Sequence, residues 1–441
     1  MKDVKVIDDL NNWKIVKNLD NVSLGHLLFL WPPSPYLHHS LFKHFTYFGE
    51  TVDVFSKLGF DVEAIDAGIQ TLGRSQLFLK LKHADYLIMP LELYNIRIGL
   101  SIARIYKDFK SDGKVIVYGT ASNLIPNYIA NDGNADYIIA TGNFVLSLLS
   151  ALDYDRSKHK EEYSYFIAKN SNNDLVRQGS QYLVLDSKFW GKPLNSLLPL
   201  EEYFKIGKGM LEFTIQIGCP WNCSFCSEKI LFKMPNTFYR PINYVIDILK
   251  EAEEKGWESV YLSATTFTYD KDYVMKLCKA IKENKITLKL RTDTRVDSID
   301  KELLSEMASA GFTKLSLGVE TFEYDIQKAI RKVIEVEKIK RVFSECRNLN
   351  IIPRALLMLG LPDQKAQAVK NSVEEIRSWG GEVRLKEYSP IQDLSALDVS
   401  NPNAITDVLP SFERLNYRSS SIPGLSRTEY MQLLFPDDFQ R

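Results

Sequence analysis

The sequence predicts an α/β protein built from two parallel sheets, each covered by helices. Short apolar runs alternate with stretches whose apolar residues recur at i, i+3 and i+4, the spacing of one helix face. Glycines follow several of these stretches where a left-handed helix cap is expected, namely Gly256, Gly311 and Gly380. Such alternation implies right-handed strand–helix–strand units. At 441 residues the chain is long enough for two or three domains.

Residues 1–150 predict a doubly wound, Rossmann-like sheet. A helix is predicted at Thr46–Leu58, and another begins at Phe144. Ligands of such sheets lie outside the carboxyl ends of the strands. The predicted strands are short and apolar: Gly25–Trp31, Asp61–Ile65, Tyr86–Met89 and Lys114–Tyr118.

Residues 151–200 predict a linker, because Asp153–Asn195 is rich in Ser, Lys, Asn and Asp, with a hairpin within Tyr163–Val184. Residues 201–389 then predict six strand–helix units. The predicted strands are Glu212–Gly218, Ser259–Ser263, Thr287–Arg291, Thr313–Gly318, Pro353–Gly360 and Val383–Tyr388. The predicted helices are Asn243–Lys255, Lys271–Asn284, Lys301–Ala310, Glu337–Asn348 and Lys365–Trp379.

Six such units make a partial, TIM-like (β/α)6 barrel, whose functional groups lie at the carboxyl ends of its strands. Residues 390–441 form a short C-terminal extension, with a helix predicted at Thr428–Leu434.

Three of the five cysteines, Cys219, Cys223 and Cys226, follow the first barrel strand with the spacing C-x3-C-x2-C. Three thiolates can hold three irons of a [4Fe–4S] cluster, which leaves the fourth iron open to a small molecule. A zinc site is the alternative, but it usually needs four Cys or His ligands, often in two pairs. Cys278 and Cys346 are single and fall on apolar helix faces, where buried hydrophobes are predicted.

The cysteine loop resembles that of the radical S-adenosylmethionine (SAM) enzymes, and Phe225 matches an aromatic residue common there. The resemblance implies that the open iron chelates SAM through its amino and carboxylate groups. One electron then cleaves SAM to a 5′-deoxyadenosyl radical, which abstracts hydrogen from an unactivated substrate. It also implies an external electron donor such as a flavodoxin or ferredoxin, and a C-terminal extension, residues 390–441, that covers the barrel mouth as a lid.

Other barrel positions resemble SAM contacts of this family. Glu320 ends a Gly-Val-Glu segment whose carboxylate usually contacts SAM, and a solvated strand-end charge is the alternative. Arg331, or Lys332 beside it, lies where relatives carry a cation for the methionine carboxylate, and surface charge is equally expected. Arg291 belongs to an Arg-x-Asp pattern or to a structural ion pair.

The segment that starts at Ser263 replaces a Gly-Gly-Glu of many relatives, whose backbone binds the SAM amino group. Its composition, Ser-Ala-Thr-Thr-Phe, is typical of the cobalamin-associated branch of the superfamily. Backbone carbonyls there remain candidate acceptors for the amino group.

The N-terminal sheet resembles the cobalamin-binding domain that precedes many radical SAM barrels. This resemblance implies that Gly119 and Thr120, which replace a glycine pair of the relatives, lie beside the corrin. The Asp-x-His-x-x-Gly motif that supplies an axial His in some cobalamin proteins is absent. His38 and His39 either face the corrin or are polar loop residues, and a purely structural sheet is the alternative to cobalamin binding.

The predicted function is therefore a radical SAM enzyme, with a cobalamin-dependent methyltransferase of an unactivated carbon in a small-molecule substrate as the favoured form. A radical SAM cyclase, oxidase or rearrangement enzyme would use the same scaffold without methyl transfer. A non-catalytic iron–sulfur or cobalamin-carrying protein is the alternative of another class, although an electron carrier is expected to place a fourth cysteine ligand.

Composition excludes several other classes. The formal net charge of −1 argues against a nucleic-acid partner. No apolar run reaches the roughly 20 residues of a spanning helix, and Met1–Lys17 lacks a signal-peptide core, so no membrane insertion is expected. Three of the five cysteines are assigned to an oxygen-sensitive cluster, which predicts a reducing, cytoplasmic location.

Overall fold

The structure is a computed structural model that describes residues 4–34, 43–70, 72–157, 162–169, 175–180, 183–226, 228, 237–388, 422 and 424–434. These residues form two compact units. The first unit draws on Met1–Phe213 and Glu228–Pro241, and the second on Thr214–Ser227, Ile242–Asp393 and Asn401–Arg441.

The first unit contains a seven-stranded sheet in the order β3-β2-β4-β5-β6-β7-β8. The strands β2 to β6 pair in parallel, and β7 and β8 add antiparallel strands at one edge. The central strands read as continuous apolar runs because helices cover both faces. The strands are β2 Leu27–Trp31, β3 Val62–Asp66, β4 Tyr86–Pro90, β5 Lys114–Tyr118, β6 Tyr137–Ile138, β7 Phe166–Lys169 and β8 Leu175–Gln178, and β1 Lys5–Ile7 pairs with β9 Leu183–Leu185 outside this sheet.

The helices of the first unit connect these strands, and Phe144–Ser157 is buried along most of its length. A π-helical stretch, His44–Gly49, runs directly into Glu50–Lys57. The other helices are Lys14–Leu19, Arg74–His83, Ile96–Phe109, Thr120–Leu124, Pro126–Asp132, Phe144–Ser157 and Leu200–Gly207, and Ser187–Phe189 is a 3-10 turn.

Part of the predicted linker belongs to this sheet. The boundary predicted at residue 150 falls inside the helix Phe144–Ser157. The predicted hairpin forms β7 and β8. Ile167 and Ala168 pair with β6, and Phe166 beside them is buried, so the hairpin extends the core. The sequence predicted the hairpin but assigned it to a linker, because the segment is rich in Asn, Asp and Ser.

The second unit contains a six-stranded sheet in the order β10-β13-β14-β15-β16-β17, and β13 to β17 pair in parallel. This is the predicted partial (β/α)6 barrel. The boundary between the two units falls within β10. The strands are β10 Met210–Thr214, β13 Ser259–Ser263, β14 Lys289–Arg295, β15 Phe312–Glu320, β16 Ile352–Leu359 and β17 Glu382–Glu387, and the short strands β11 Gln216–Ile217 and β12 Phe238–Tyr239 lie outside this sheet.

The five predicted barrel helices form within one or two residues of the predicted limits at each end, and the short helix Tyr324–Ala329 was not predicted. Asp270 and Asp300 cap two of them, since each carboxylate accepts a backbone N–H three residues on at 2.9 Å. The helices are Ile242–Glu254, Lys271–Glu283, Lys301–Ser309, Tyr324–Ala329, Val336–Asn348, Ala366–Ser378 and Arg427–Leu434, with 3-10 turns at Phe267–Tyr269 and Val296–Ser298.

The third barrel strand differs from the prediction, because β14 continues to Arg295 instead of ending at Arg291. Thr292 and Thr294 are buried and continue the inward-facing row of the strand. Strands are predicted from apolar residues, and the inward-facing residues at the end of this strand are polar. The predicted strand therefore ends four residues too early.

The C-terminal helix packs on the second unit. Ile422, Leu425 and Tyr430 form a buried apolar cluster with Leu359 and Val369. Residues 389–421 lie outside the described part of the chain, so the lid remains a prediction. Within the described residues, no helix has the length and apolarity needed to cross a membrane.

Candidate functional site

The cysteine loop begins after β11 and is anchored to the opposite side of the barrel mouth. The Ser224 N–H donates to the carbonyl of Ile330 at 3.0 Å, and its hydroxyl donates to the carbonyl of Ala329 at 3.3 Å. Phe225 packs against a buried apolar cluster that includes Ile330 and Leu361. The loop is therefore fixed by its backbone, by the Ser224 hydroxyl and by the Phe225 ring.

Cys219, Cys223 and Cys226 lie on this loop as half-buried cysteines. They match the number and type of ligands that a cluster with one open iron needs. The part of the chain that the structure describes holds no set of three His, Cys, Asp or Glu side chains gathered closely enough for a metal ion. The three cysteines fit a [4Fe–4S] cluster by the number and the type of their donors.

Arg295 reaches this loop from the end of β14, and sequence reasoning missed it. Its Nη1 lies 3.4 Å from the Cys223 sulfur, and its guanidinium stacks 4.2 Å from the ring centre of Trp221. Asp297 holds it through two hydrogen bonds of 2.8 and 2.6 Å. Burial would lower the pKa of Arg295, but its bonds to Asp297 and Cys223 outweigh burial and raise it.

A buried ion pair occupies the end of the fourth barrel strand. Lys332 Nζ donates to Glu320 Oε1 at 2.8 Å, and the two side chains are 5% and 10% exposed. The same ammonium lies 5.9 Å from the ring centre of Phe225. A Cβ on Gly318 would come within 2.5 Å of Lys332 Nζ, so the absence of a side chain there leaves room for the pair.

The backbone at Glu320 is unusual for a residue with a side chain. Its φ is +68°, and the register between β15 and β16 shifts between Gly318 and Glu320. Such a bulge redirects the side chain at a strand end, and left-handed non-glycine residues concentrate at functional sites. The geometry aims the Glu320 carboxylate at Lys332.

Arg331, the cation named first from the sequence, is exposed, whereas Lys332 is buried. Arg331 itself has a φ of +57° and follows the helix Tyr324–Ala329. The left-handed turn brings the next residue, Lys332, under the strand end. The structure therefore favours Lys332 as the cation at this site.

The segment after β13 is tied to the start of the cysteine loop by Gln216. The Gln216 Oε1 accepts the N–H groups of Thr265 and Thr266 at 2.8 and 3.0 Å, and its Nε2 donates to the carbonyl of Gly218. The Ser263 carbonyl accepts the N–H of Ile215 at 2.9 Å. The Thr266 hydroxyl is buried with no hydrogen-bond partner among the described residues, which marks a polar position open to a ligand.

Arg291 lies away from this edge. It pairs in register with Tyr261 on β13 and Lys314 on β15, four residues before the end of β14. The structure thus separates Arg291 from the strand ends that carry Arg295 and Glu320.

The carboxyl edge of the first unit places Gly119 and Thr120 after β5. Gly119 has a φ of +103°, and a Cβ there would lie 2.8 Å from the carbonyl oxygen of Leu91. Glu92 accepts the Thr120 N–H at 3.2 Å and pairs with Lys43, which in turn donates to the Thr120 hydroxyl at 2.7 Å. These two predicted corrin contacts are therefore engaged with neighbouring loops of the same sheet.

Three other polar atoms at this edge have no hydrogen-bond partner among the described residues, although they are buried: Ser122 Oγ, Asn123 Oδ1 and Asn143 Nδ2. They follow β5 and β6, at the carboxyl side where doubly wound sheets bind ligands. Buried polar atoms are normally satisfied, so these three fit a polar ligand such as the side chains of a corrin. His38 and His39 lie outside the described residues.

Known proteins similar to this chain include a family that matches part of the second unit and several methyltransferases. Residues 213–376 match the model of the Radical SAM superfamily. A cytidylyl-2-hydroxyethylphosphonate methyltransferase of Streptomyces wedmorensis is 23% identical over 247 residues, 51% of this chain and 46% of the relative. An uncharacterized methyltransferase of Pyrococcus horikoshii is 20% identical over 386 residues, 84% of this chain and 83% of the relative.

A structure of the radical SAM methyltransferase TsrM from Kitasatospora setae has a TM-score of 0.67 at 15% identity, and the match covers 83% of this chain and 74% of that chain. Another structure of TsrM contains cobalamin and a [4Fe–4S] cluster. This similarity confirms the predicted fold, in which a Rossmann-like sheet precedes a partial (β/α)6 barrel. This chain spans less than half of the Streptomyces relative, 46% of its length.

The two cysteines outside the loop are predicted to be chemically inert. Burial raises the pKa of the Cys278 and Cys346 thiols to about 12, so both are protonated near neutral pH. Iodoacetamide should label the three loop cysteines of the folded, iron-free protein and all five cysteines after unfolding. Mass spectrometry of tryptic peptides measures this, and equal labelling of Cys278 in the folded protein would contradict the burial.

Proposed function

We propose that this radical SAM protein is a cobalamin-dependent methyltransferase that acts on an unactivated carbon of a small molecule. The observation that carries the SAM part of the proposal is the buried Glu320–Lys332 pair beside Phe225 of the cysteine loop. An ammonium and a carboxylate in a dry site complement the carboxylate and amino group of an amino-acid-like ligand. The methyltransferase names of the two relatives support the methyl-transfer part.

The bound groups supply the difficult chemistry: a [4Fe–4S] cluster provides the electron that cleaves SAM to a 5′-deoxyadenosyl radical, and cobalamin provides a methyl carrier. Cys219, Cys223 and Cys226 would hold the cluster. Ser122 and Asn143 would contribute to the cobalamin site through their unsatisfied polar atoms.

The protein's own part is to bind, orient and exclude water. Lys332 offers donors to the methionine carboxylate, and Glu320 offers acceptors to the amino group or a ribose hydroxyl. Because both side chains are nearly buried, each of these bonds forms away from bulk water, where it is stronger. Thr266 adds a hydroxyl at the neighbouring strand end.

The proposal extends to the partners of the reaction. The substrate is a small molecule, and the electron comes from an external donor of the flavodoxin or ferredoxin type in a reducing cytoplasm. We also infer that the Rossmann-like unit binds cobalamin, while residues 390–441 contribute to the lid over the barrel.

The cluster assignment predicts the behaviour of three alanine variants. Anaerobically reconstituted protein should carry about four irons per chain. Cys219→Ala, Cys223→Ala or Cys226→Ala should each abolish the release of 5′-deoxyadenosine from SAM. The Cys278→Ala variant is the matched control and should keep its iron, with a modest loss of stability from the small cavity. SAM cleavage at the parent rate in any loop variant would refute the assignment.

The SAM site predicts a ranking of charge variants. Glu320→Gln and Lys332→Met should each weaken SAM binding about ten- to a hundredfold, because each removes a charged hydrogen bond worth about 1.5–3 kcal/mol. Arg331→Met should weaken it less, since Arg331 is exposed. Lys328→Met provides a control on the adjacent helix. Equilibrium dialysis with SAM measures the affinities, and a larger loss at Arg331 than at Lys332 would reverse the assignment.

Methyl transfer is tested by cofactor retention and by products. Protein incubated with hydroxocobalamin and freed of excess should retain about one corrin per chain, seen in its visible spectrum. With SAM, reductant and a methyl-accepting substrate it should yield both S-adenosylhomocysteine and 5′-deoxyadenosine. A cyclase, oxidase or rearrangement enzyme should yield 5′-deoxyadenosine alone. Failure to retain corrin would exclude the methyltransferase while leaving the radical SAM assignment intact.

A further inference from the structure

We propose that Arg295 is a positioning residue that raises the reduction potential of the cluster through a hydrogen bond to the Cys223 sulfur. The inference rests on the proposed function, because it requires the three-cysteine cluster. It concerns a residue that no pattern in the sequence indicated, at a strand end predicted to lie four residues earlier.

The guanidinium of Arg295 contacts three groups at once: the Asp297 carboxylate, the Trp221 ring and the Cys223 sulfur. Two nitrogens, Nε and Nη2, donate to the two carboxylate oxygens of Asp297. One face stacks on Trp221, with 4.2 Å between the guanidinium carbon and the ring centre. The remaining nitrogen, Nη1, is then directed to the Cys223 sulfur at 3.4 Å. A planar, five-donor group suits this arrangement, and an ammonium does not.

The turn that carries Arg295 is braced independently of the cysteine loop. The Ser298 hydroxyl donates to the Arg295 carbonyl at 3.0 Å and lies 2.6 Å from the Thr268 hydroxyl. Lys338 Nζ donates to the Asp297 carbonyl at 3.1 Å. The guanidinium is therefore held in place by the barrel, and it can position Cys223 before any cluster is present.

Reduction of a cluster by one electron adds negative charge that spreads onto the ligand sulfurs. A cation and an N–H donor at one sulfur stabilise the reduced state more than the oxidised state, so they raise the reduction potential. Arg295 is largely buried, so solvent screens this effect only weakly. Asp297 acts in the opposite direction, since its carboxylate offsets part of the Arg295 charge.

Two variants with opposite expected signs test this role. Arg295→Gln should lower the midpoint potential of the reconstituted cluster, with a change of about tenfold in the reduction equilibrium, or about 59 mV for a one-electron couple. Asp297→Asn should raise the potential, because it leaves Arg295 without its counter-charge. Redox titration without SAM, followed by electron paramagnetic resonance of the reduced cluster, gives both values.

The controls separate charge from folding. Arg354 belongs to the same unit, and its Nε donates to Glu382 on the neighbouring strand at 2.8 Å. Arg354→Gln removes this guanidinium and should leave the reduction potential of the cluster unchanged. Arg295→Lys keeps the charge but not the planar fork, and its potential should lie between those of the parent and Arg295→Gln. Iron content and thermal unfolding are measured for every variant.

The outcomes are distinguishable from a failure of the proposed function. If the parent protein holds no four-iron cluster, the cluster assignment itself fails. If the cluster forms and the Arg295→Gln potential equals that of the parent, Arg295 does not tune it. Shifts of the same sign in Arg295→Gln and Asp297→Asn would indicate a general loosening of the loop and would also overturn the inference. If Arg295→Gln does not fold, the sign of the Asp297→Asn shift still decides.

Discussion

The buried ion pair between Glu320 and Lys332 is the constraint on which the second unit's site depends. Two charges that are almost fully removed from water are tolerable only when they satisfy each other, and removing one leaves an uncompensated charge that costs about 3–5 kcal/mol. Gln327 connects the strand end to the segment that carries Lys332. Its Nε2 donates to the backbone carbonyl of Thr321 at 2.8 Å, and its backbone carbonyl accepts the Lys332 N–H at 2.9 Å. The bulge and the left-handed φ at Glu320 follow from the same requirement.

This pair also links the strand end to the cysteine loop. Lys332 lies over the ring of Phe225. Two residues earlier, the carbonyl of Ile330 accepts the N–H of Ser224. The segment from Ile330 to Lys332 therefore contacts the loop by backbone and by side chain. A ligand that inserts between Lys332 and Glu320 would exchange one set of charged partners for another in the same dry site, so little new desolvation is needed.

The first unit stabilises buried charge at its own carboxyl edge in a comparable way. Asp66, fully buried, accepts hydrogen bonds from His44 at 2.5 Å and from Tyr203 at 2.7 Å. Burial, with the neighbouring Asp66 carboxylate, raises the pKa of Tyr203, so the hydroxyl remains a donor. Among the described residues, the buried atoms without a hydrogen-bond partner at this edge belong to neutral side chains such as Ser122 and Asn143.

Sequence periodicity predicted the barrel well because its helices and strands obey simple apolar spacing; Ser259–Ser263 was predicted with its observed limits. The prediction from apolar spacing failed where polar residues of the candidate site replace the apolar ones. The polar inner row of β14 hid Arg295, and the left-handed turn at Arg331 hid which of two adjacent cations is buried. No linear pattern shows whether a residue with a side chain will adopt a positive φ, because the surrounding packing imposes it. These departures cluster around the cysteine loop, as expected when a binding site is built against local preference and stabilised by the rest of the fold.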